Sequence, residues 1–322
     1  MKKFLYFIYL VVVCILVFFF ADFIEFKILE KKFYQTFQNL DVKVTSYFKY
    51  FDNDWFFHCV TSYDNYYEKL IKDFRGDVLL DENTKKPIIL FGCSFAHGSQ
   101  LEWEQTFAYK LSKKTKRNIY NRAIGACGIQ HMYYMLTHSE FYETLPKNPE
   151  YIIYVYIPTQ MMRLSNYVYP SEMVSNGPYL HYDIKEKELV LRKEITQLYK
   201  SFLFKRLMAE IDEKNHATNP NVREKNSELA IKLFVESKKM LLEKYPKTKF
   251  VILRYNVDYD GEEGFENPEM WDELGKEGFI IIKSRDLIGR NYREDETTMD
   301  NIHPSEAAWD LLVPKLVEEL NL

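Results

Sequence analysis

The chain has 322 residues, 47% of them hydrophobic, with 43 basic against 47 acidic side chains and a net charge of −4. These values fit a folded protein with a core of useful size, and with no strongly basic block they argue against nucleic acid as the main partner. The 24 Phe and 25 Tyr residues read as an aromatic-rich core rather than a sugar-stacking surface.

Lys2 and Lys3 precede an unbroken apolar run, Phe4 to Ala21, closed by Asp22. As a helix this run rises about 27 Å, close to the ~30 Å hydrocarbon core of a bilayer. Residues 1–21 are therefore predicted to form an uncleaved single-pass transmembrane anchor in the cell membrane. A cleaved signal peptide needs small residues at two positions, and here Ala21 is accompanied by Phe19. Val13 before Cys14 argues against a lipoprotein signal. Lys2, Lys3 and the terminal amine favour an N-terminus inside, with Lys27, Lys31 and Lys32 on the other side. The expectation adopted is a large domain outside the cytoplasm.

Residues 22–85 mix aromatics with charges. "FKILEKKFYQTF" and "YDNYYEKLIKDF" have partial helical periodicity and read as a juxtamembrane helical lead-in. From residue 86 to 322 the chain reads as one domain of alternating strands and helices. Strands are predicted at Ile88 to Phe91, Asn118 to Asn121, 151–157, Phe250 to Tyr255 and Phe279 to Ile282. Helices are predicted at Thr106 to Lys114, Gln130 to His138, Ser227 to Lys244 and Ser305 to Leu320, with a kink or break at Pro314. The stretch at about 164–226, with Pro170, Gly177, Pro178 and Pro220, interrupts the alternation and reads as an insertion, a lid or a substrate wall. The fold class is thus α/β, three layers α/β/α around a central parallel sheet, flavodoxin-like, preceded by one transmembrane helix.

Ligands in such folds bind beyond the carboxyl ends of the strands, and Ser94 lies just past the first strand, in "PIILFGCSFAHG". Taken alone, Ser94 is an ordinary helix N-terminal serine. A serine nucleophile needs a base, and the base needs an orienting group. "MDNIHPSEAAWDLL" offers both: Asp300 and His303 are three apart in a turn before a helix, so the carboxylate can hold one imidazole nitrogen while the other faces Ser94. The remaining polar candidates read as structural. His97 is a turn or cleft-lining residue. His131 and His138 belong to helix packing. His181 and Asp183 lack further ligands at metal spacing. Cys14, Cys59, Cys93 and Cys127 form no CxxC pair, and free thiols at 93 and 127 are preferred over a bridge between them. No metal and no cofactor is expected.

Gly92-Cys93-Ser94 with Gly98, followed by Asp300-x-x-His303-Pro304, resembles the SGNH (GDSL-type) hydrolase superfamily over residues 87–320. Cys93 stands where that family has aspartate, a position outside its catalytic set. The resemblance implies ester hydrolysis through an acyl-enzyme, with an oxyanion hole of three donors. The first is the Ser94 N–H. The second is a backbone N–H after the second strand, which falls on Ala126, with Gly125 as the alternative. The third is an Asn side chain after the third strand. Here "YIPTQMMRL" lacks that block, leaving Gln160 as the nearest amide and Arg163 as a further cation. Three functions follow from this reading. The first is a membrane-anchored esterase acting on an acyl ester, such as an O-acylated envelope glycan. The second is an O-acyltransferase using the same residues. The third is a non-catalytic binding module. Protein partners are not specified by the sequence.

Overall fold

The computed structural model describes residues 74–80, 85–125, 127–164, 182–185, 187–191, 220–255, 266–290, 292, 296–298 and 303–322. The predicted anchor and most of the lead-in lie outside the described residues. Among the described residues no helix is long and apolar enough to cross a membrane.

The chain runs β1 (Ile88–Gly92), α1 (Ser94–His97), α2 (Phe107–Thr115), β2 (Ile119–Asn121), α3 (Ile129–Leu136), β3 (Tyr151–Tyr156) and α4 (Thr159–Met162). It continues through β4 (Tyr182–Lys185), β5 (Glu188–Leu191), α5 (Pro220–Lys244), β6 (Lys249–Arg254), α6 (Glu269–Lys276), β7 (Ile280–Lys283), α7 (Ser284–Ile288) and α8 (Glu306–Leu320). Five strands form a parallel sheet in the order β2-β1-β3-β6-β7. β4 and β5 form a separate antiparallel hairpin inside the predicted insertion.

Burial on both faces explains why the strands read as continuous apolar runs. Ile88, Leu90, Ile153, Val155, Val251 and Leu253 share a core with Leu111 of α2 and Trp309, Leu312 and Leu316 of α8. Ile89, Phe91, Ile152, Tyr154, Phe250 and Ile252 share the opposite core with Met132 of α3 and Leu233 and Phe234 of α5. The three-layer arrangement follows directly.

Several elements, α1, α4, α6 and the β4–β5 hairpin among them, go beyond the sequence expectation, and three further departures have a plain physical cause. α5 begins at Pro220, seven residues before the predicted start at Ser227. Its first turns are polar and carry no apolar stripe, and proline suits a first helical position because no N–H is needed there. α8 runs from Glu306 to Leu320 without a break at Pro314. Trp309, Leu312 and Val313 before the proline and Leu316 after it are all buried, and that packing outweighs the ~3 kcal/mol cost of an internal proline. The five-residue α7 escaped notice because one turn shows no period.

The strand order places a topological switch between β1 and β3. There the connections leave toward opposite faces and open a crevice beyond the strand ends. Residues 93–99 and 157–163 line up on either side of it.

Candidate active site

β1 ends at a position that only glycine fits. Gly92 has φ 146°, and a Cβ there would lie 2.8 Å from the Val155 carbonyl oxygen and 2.9 Å from the Ala96 Cβ. The chain then passes through buried Cys93, whose thiol is free, into α1, with half-buried Ser94 as its first residue. Gly98, in the left-handed conformation, closes α1 by donating its N–H to the Ser94 carbonyl at 2.9 Å. Fully buried Asn121 braces the same turn. It donates to the Ala96 carbonyl at 3.2 Å and accepts from the Ala123 N–H at 3.0 Å. The Arg75 guanidinium donates to the carbonyls of Gly98 and Leu101. A short, otherwise unremarkable helix is thus fixed from three sides, and the Ser94 hydroxyl with it.

His303 arrives from the other end of the chain on a narrow hairpin. Thr297 and Pro304 form an antiparallel bridge. The Thr298 N–H donates to the His303 carbonyl at 2.7 Å, and the Ser305 N–H to the Glu296 carbonyl at 2.9 Å. Glu296, buried, is itself held by Arg290. α8 then begins at Glu306, so the imidazole sits on a paired segment anchored on a helix packed against the sheet.

The two ends meet: His303 Nε2 lies 2.8 Å from Ser94 Oγ. This is hydrogen-bond distance for a hydroxyl donating to an imidazole nitrogen, the geometry a general base requires. The imidazole ring also packs on Phe95, centroid to centroid 5.2 Å. Phe95 in turn meets the edge of Tyr255 at 5.4 Å, and Tyr255 stacks on Tyr292 at 4.5 Å. One face of the imidazole is therefore packed against aromatic rings. Asp300, the expected orienting acid, lies outside the described residues.

Of the expected oxyanion donors, the Ser94 N–H opens a helix and so has no intrahelical acceptor. The loop after β2 crosses the end of β1, where the Ile124 N–H donates to the Gly92 carbonyl at 3.2 Å. Gly125 follows on that loop, half-buried and beside Ser99. Ala126 lies outside the described residues.

Gln160 departs from the expectation of an oxyanion amide. It is fully buried, its Oε1 accepting from the Tyr154 hydroxyl at 2.8 Å and its Nε2 donating to the Val155 carbonyl at 3.3 Å. The cause is the strand beneath it. Tyr154 carries a phenol fully inside the core, its pKa pushed well above the usual range by burial first and by neighbouring Cys93 second. That hydroxyl needs an acceptor, and Gln160 supplies it. Arg163, at the end of α4, donates from Nη1 to the Cys127 carbonyl at 2.7 Å.

The other histidines among the described residues, His97, His131 and His138, are structural in form, and His181 lies outside the described residues. His97 is buried, with Nδ1 3.2 Å from Ser99 Oγ. His131 Nδ1 accepts the Gly128 N–H at 3.0 Å, and His138 Nδ1 lies 2.9 Å from the Tyr134 carbonyl. Sequence reasoning passed over Phe95, the platform for the base, and Gln130, which donates to the Arg163 carbonyl at 2.9 Å. The position of Phe95 next to the serine was the one clue on offer. Gln130 had none, because its partner lies 33 residues away.

No family model matches the chain, and no curated protein matches it in sequence. Among solved structures it is similar to a carbohydrate esterase described as having divergent catalytic and non-catalytic binding functions, at 13% identity and TM-score 0.42, covering 76% of this chain and 67% of that one. An acetyl xylan esterase from the rumen bacterium Butyrivibrio proteoclasticus is similar at 12% identity and TM-score 0.41, over 76% of this chain and 65% of that one. A lipase from a goat rumen metagenome is similar at 12% identity and TM-score 0.47, over 73% of this chain and 97% of that one. The chain thus spans about two thirds of the length of the two esterases. These are likenesses of chain trace at low identity, and the side chains alone carry the functional reading that follows.

Proposed function

We propose that the protein is a membrane-anchored serine esterase of the SGNH type, acting outside the cytoplasm on acyl esters such as O-acylated envelope glycans. The observation that supports this most is the 2.8 Å approach of His303 Nε2 to Ser94 Oγ, at the switch point of a parallel sheet.

In this reading Ser94 Oγ attacks the acyl carbonyl while His303 Nε2 takes its proton. The tetrahedral adduct collapses as His303 returns that proton to the leaving alcohol. Water, deprotonated by the same nitrogen, then releases the acid from the serine ester. Asp300 orients the ring from Nδ1, the nitrogen turned away from Ser94, and stabilises the imidazolium. The developing oxyanion is held by the N–H of Ser94 and by that of Ala126 or Gly125.

A fluorophosphonate probe and a panel of short-chain aryl esters and acetylated sugars test the assignment. The wild-type chain is expected to label at Ser94 and to release acid. Ser94→Ala is expected to lose labelling and at least about a thousandfold in turnover, with an unchanged melting temperature. Turnover that survives in Ser94→Ala removes Ser94 as the nucleophile. Acyl appearing on an added acceptor glycan, with none released to water, replaces hydrolysis by transfer.

A further inference from the structure

Arg163 and Gln130 bind each other's segments reciprocally. The Arg163 side chain donates to the backbone of the β2–α3 loop at the Cys127 carbonyl, 2.7 Å away. The Gln130 side chain, on the first turn of α3, donates to the backbone of α4's last turn at the Arg163 carbonyl, 2.9 Å away. With Nε2 committed to a carbonyl, the buried Oε1 of Gln130 has no hydrogen-bond partner among the described residues. The opposite amide orientation would set two oxygens against each other. A glutamine kept only to fill space would not carry that desolvation cost.

Gly128 makes room for the amide. A Cβ at this position would lie 2.5 Å from Gln130 Oε1, although the backbone is extended (φ −123°) and open to any residue. The Gly128 N–H is held as well, by His131 Nδ1 at 3.0 Å. The loop is therefore pinned at residue 124 by the Gly92 carbonyl and at residues 127 and 128 by these contacts. Residues 125 and 126 lie between the pins, and they carry the N–H groups assigned above to the oxyanion.

We infer that Arg163 and Gln130 form a clasp, seated on Gly128, that sets the position of the oxyanion loop. Both act as positioning residues for the proposed ester hydrolysis, and the inference rests on that reading. Among the described residues Arg163 forms no ion pair with a carboxylate, so the competing role is a grip on an anionic group of the substrate.

The test uses the full-length protein in detergent, with a neutral aryl acetate and an acetylated uronate as substrates. Three variants break the clasp in different ways: Arg163→Met, Gln130→Leu and Gly128→Ala, the last displacing only the tip of a flexible side chain. Each is expected to lower kcat by about 10- to 100-fold on both substrates, with KM within about twofold, as a misplaced catalytic loop does. Fluorophosphonate labelling should slow in parallel. Arg163→Lys, which keeps one donor, should recover part of the loss. The Arg163→Met/Gln130→Leu pair should be no worse than the poorer single variant, because both break one device. Wild-type kcat in Gly128→Ala and Gln130→Leu overturns the clasp, as does an Arg163→Met defect confined to KM for the uronate. If Arg163→Met does not fold, Gly128→Ala, which removes no polar group, decides the matter. A wild-type chain that neither labels nor hydrolyses overturns the esterase reading and the clasp with it. Normal wild-type labelling beside unaffected variants overturns the clasp alone.

Discussion

After β1 the chain turns through Gly92 and Cys93 and holds the Ser94 hydroxyl out to His303. After β3, one strand over, it turns through Ile157 and Pro158 and folds the Gln160 amide back onto Tyr154. The two turns leave neighbouring strands at the same edge, and each is followed by a four-residue helix. They differ in what lies beneath. Below the first turn sits Phe91, the register partner of Tyr154, which is buried and has no hydrogen-bonding side chain, so the next polar group is left to the crevice. Below the second sits a buried phenol, and the nearest amide is drawn inward to satisfy it. Which polar groups reach a binding edge is thus decided in part by the hydrogen-bond demands of the strand behind it.

Gly92→Ala breaks the first turn most severely. A Cβ 2.8 Å from a backbone oxygen, at φ 146°, is expected to cost about 3 kcal/mol or more and to abolish probe labelling at Ser94. Thermal melting and labelling check this, and a variant with wild-type values in both would mean that the turn has room the geometry does not allow.

Gln160→Leu sharpens the contrast. Removing the acceptor of the Tyr154 hydroxyl should lower stability by about 1–3 kcal/mol, while kcat of the remaining folded protein stays within about threefold. A hundredfold fall in kcat without a change in melting would return Gln160 to the oxyanion hole.

The smallest effect lies away from both turns. Lys110 of α2 bonds to Glu306 at 2.8 Å and Asp310 at 2.6 Å on α8, tying the last helix to the domain. The Lys110 hydrogen bond holds the Glu306 carboxyl below its ordinary value of 4.5, against an opposing effect of burial. A lowered folded pKa means stabilisation that is present above 4.5 and lost as pH falls through the folded value. Lys110→Met is therefore expected to cost under about 1 kcal/mol near neutrality and less at pH 3, as melting at the two pH values would register.

Much of this architecture was legible because burial writes itself into the strands. Ile88 to Phe91 and 151–156 are apolar on both faces, and the sheet puts them where such runs belong. Ser94 and His303 could be named from the serine just past an apolar strand and from the Asp300-x-x-His303-Pro304 motif, and their side chains meet at 2.8 Å. The inward turn of Gln160 depends on Tyr154, whose hydroxyl is invisible in a pattern that counts tyrosine simply as a strand former. The start of α5 was missed because its exposed first turns owe nothing to a core. The role of Arg163 toward Cys127 needed two loops to be seen side by side.

The separation of 209 positions between Ser94 and His303 has a consequence for biosynthesis. At about 5–20 residues per second, a ribosome makes Ser94 roughly 10–40 seconds before it makes His303. Throughout that interval the growing polypeptide carries Ser94 without its imidazole partner, so the hydrolysis proposed above begins only once α8 has docked.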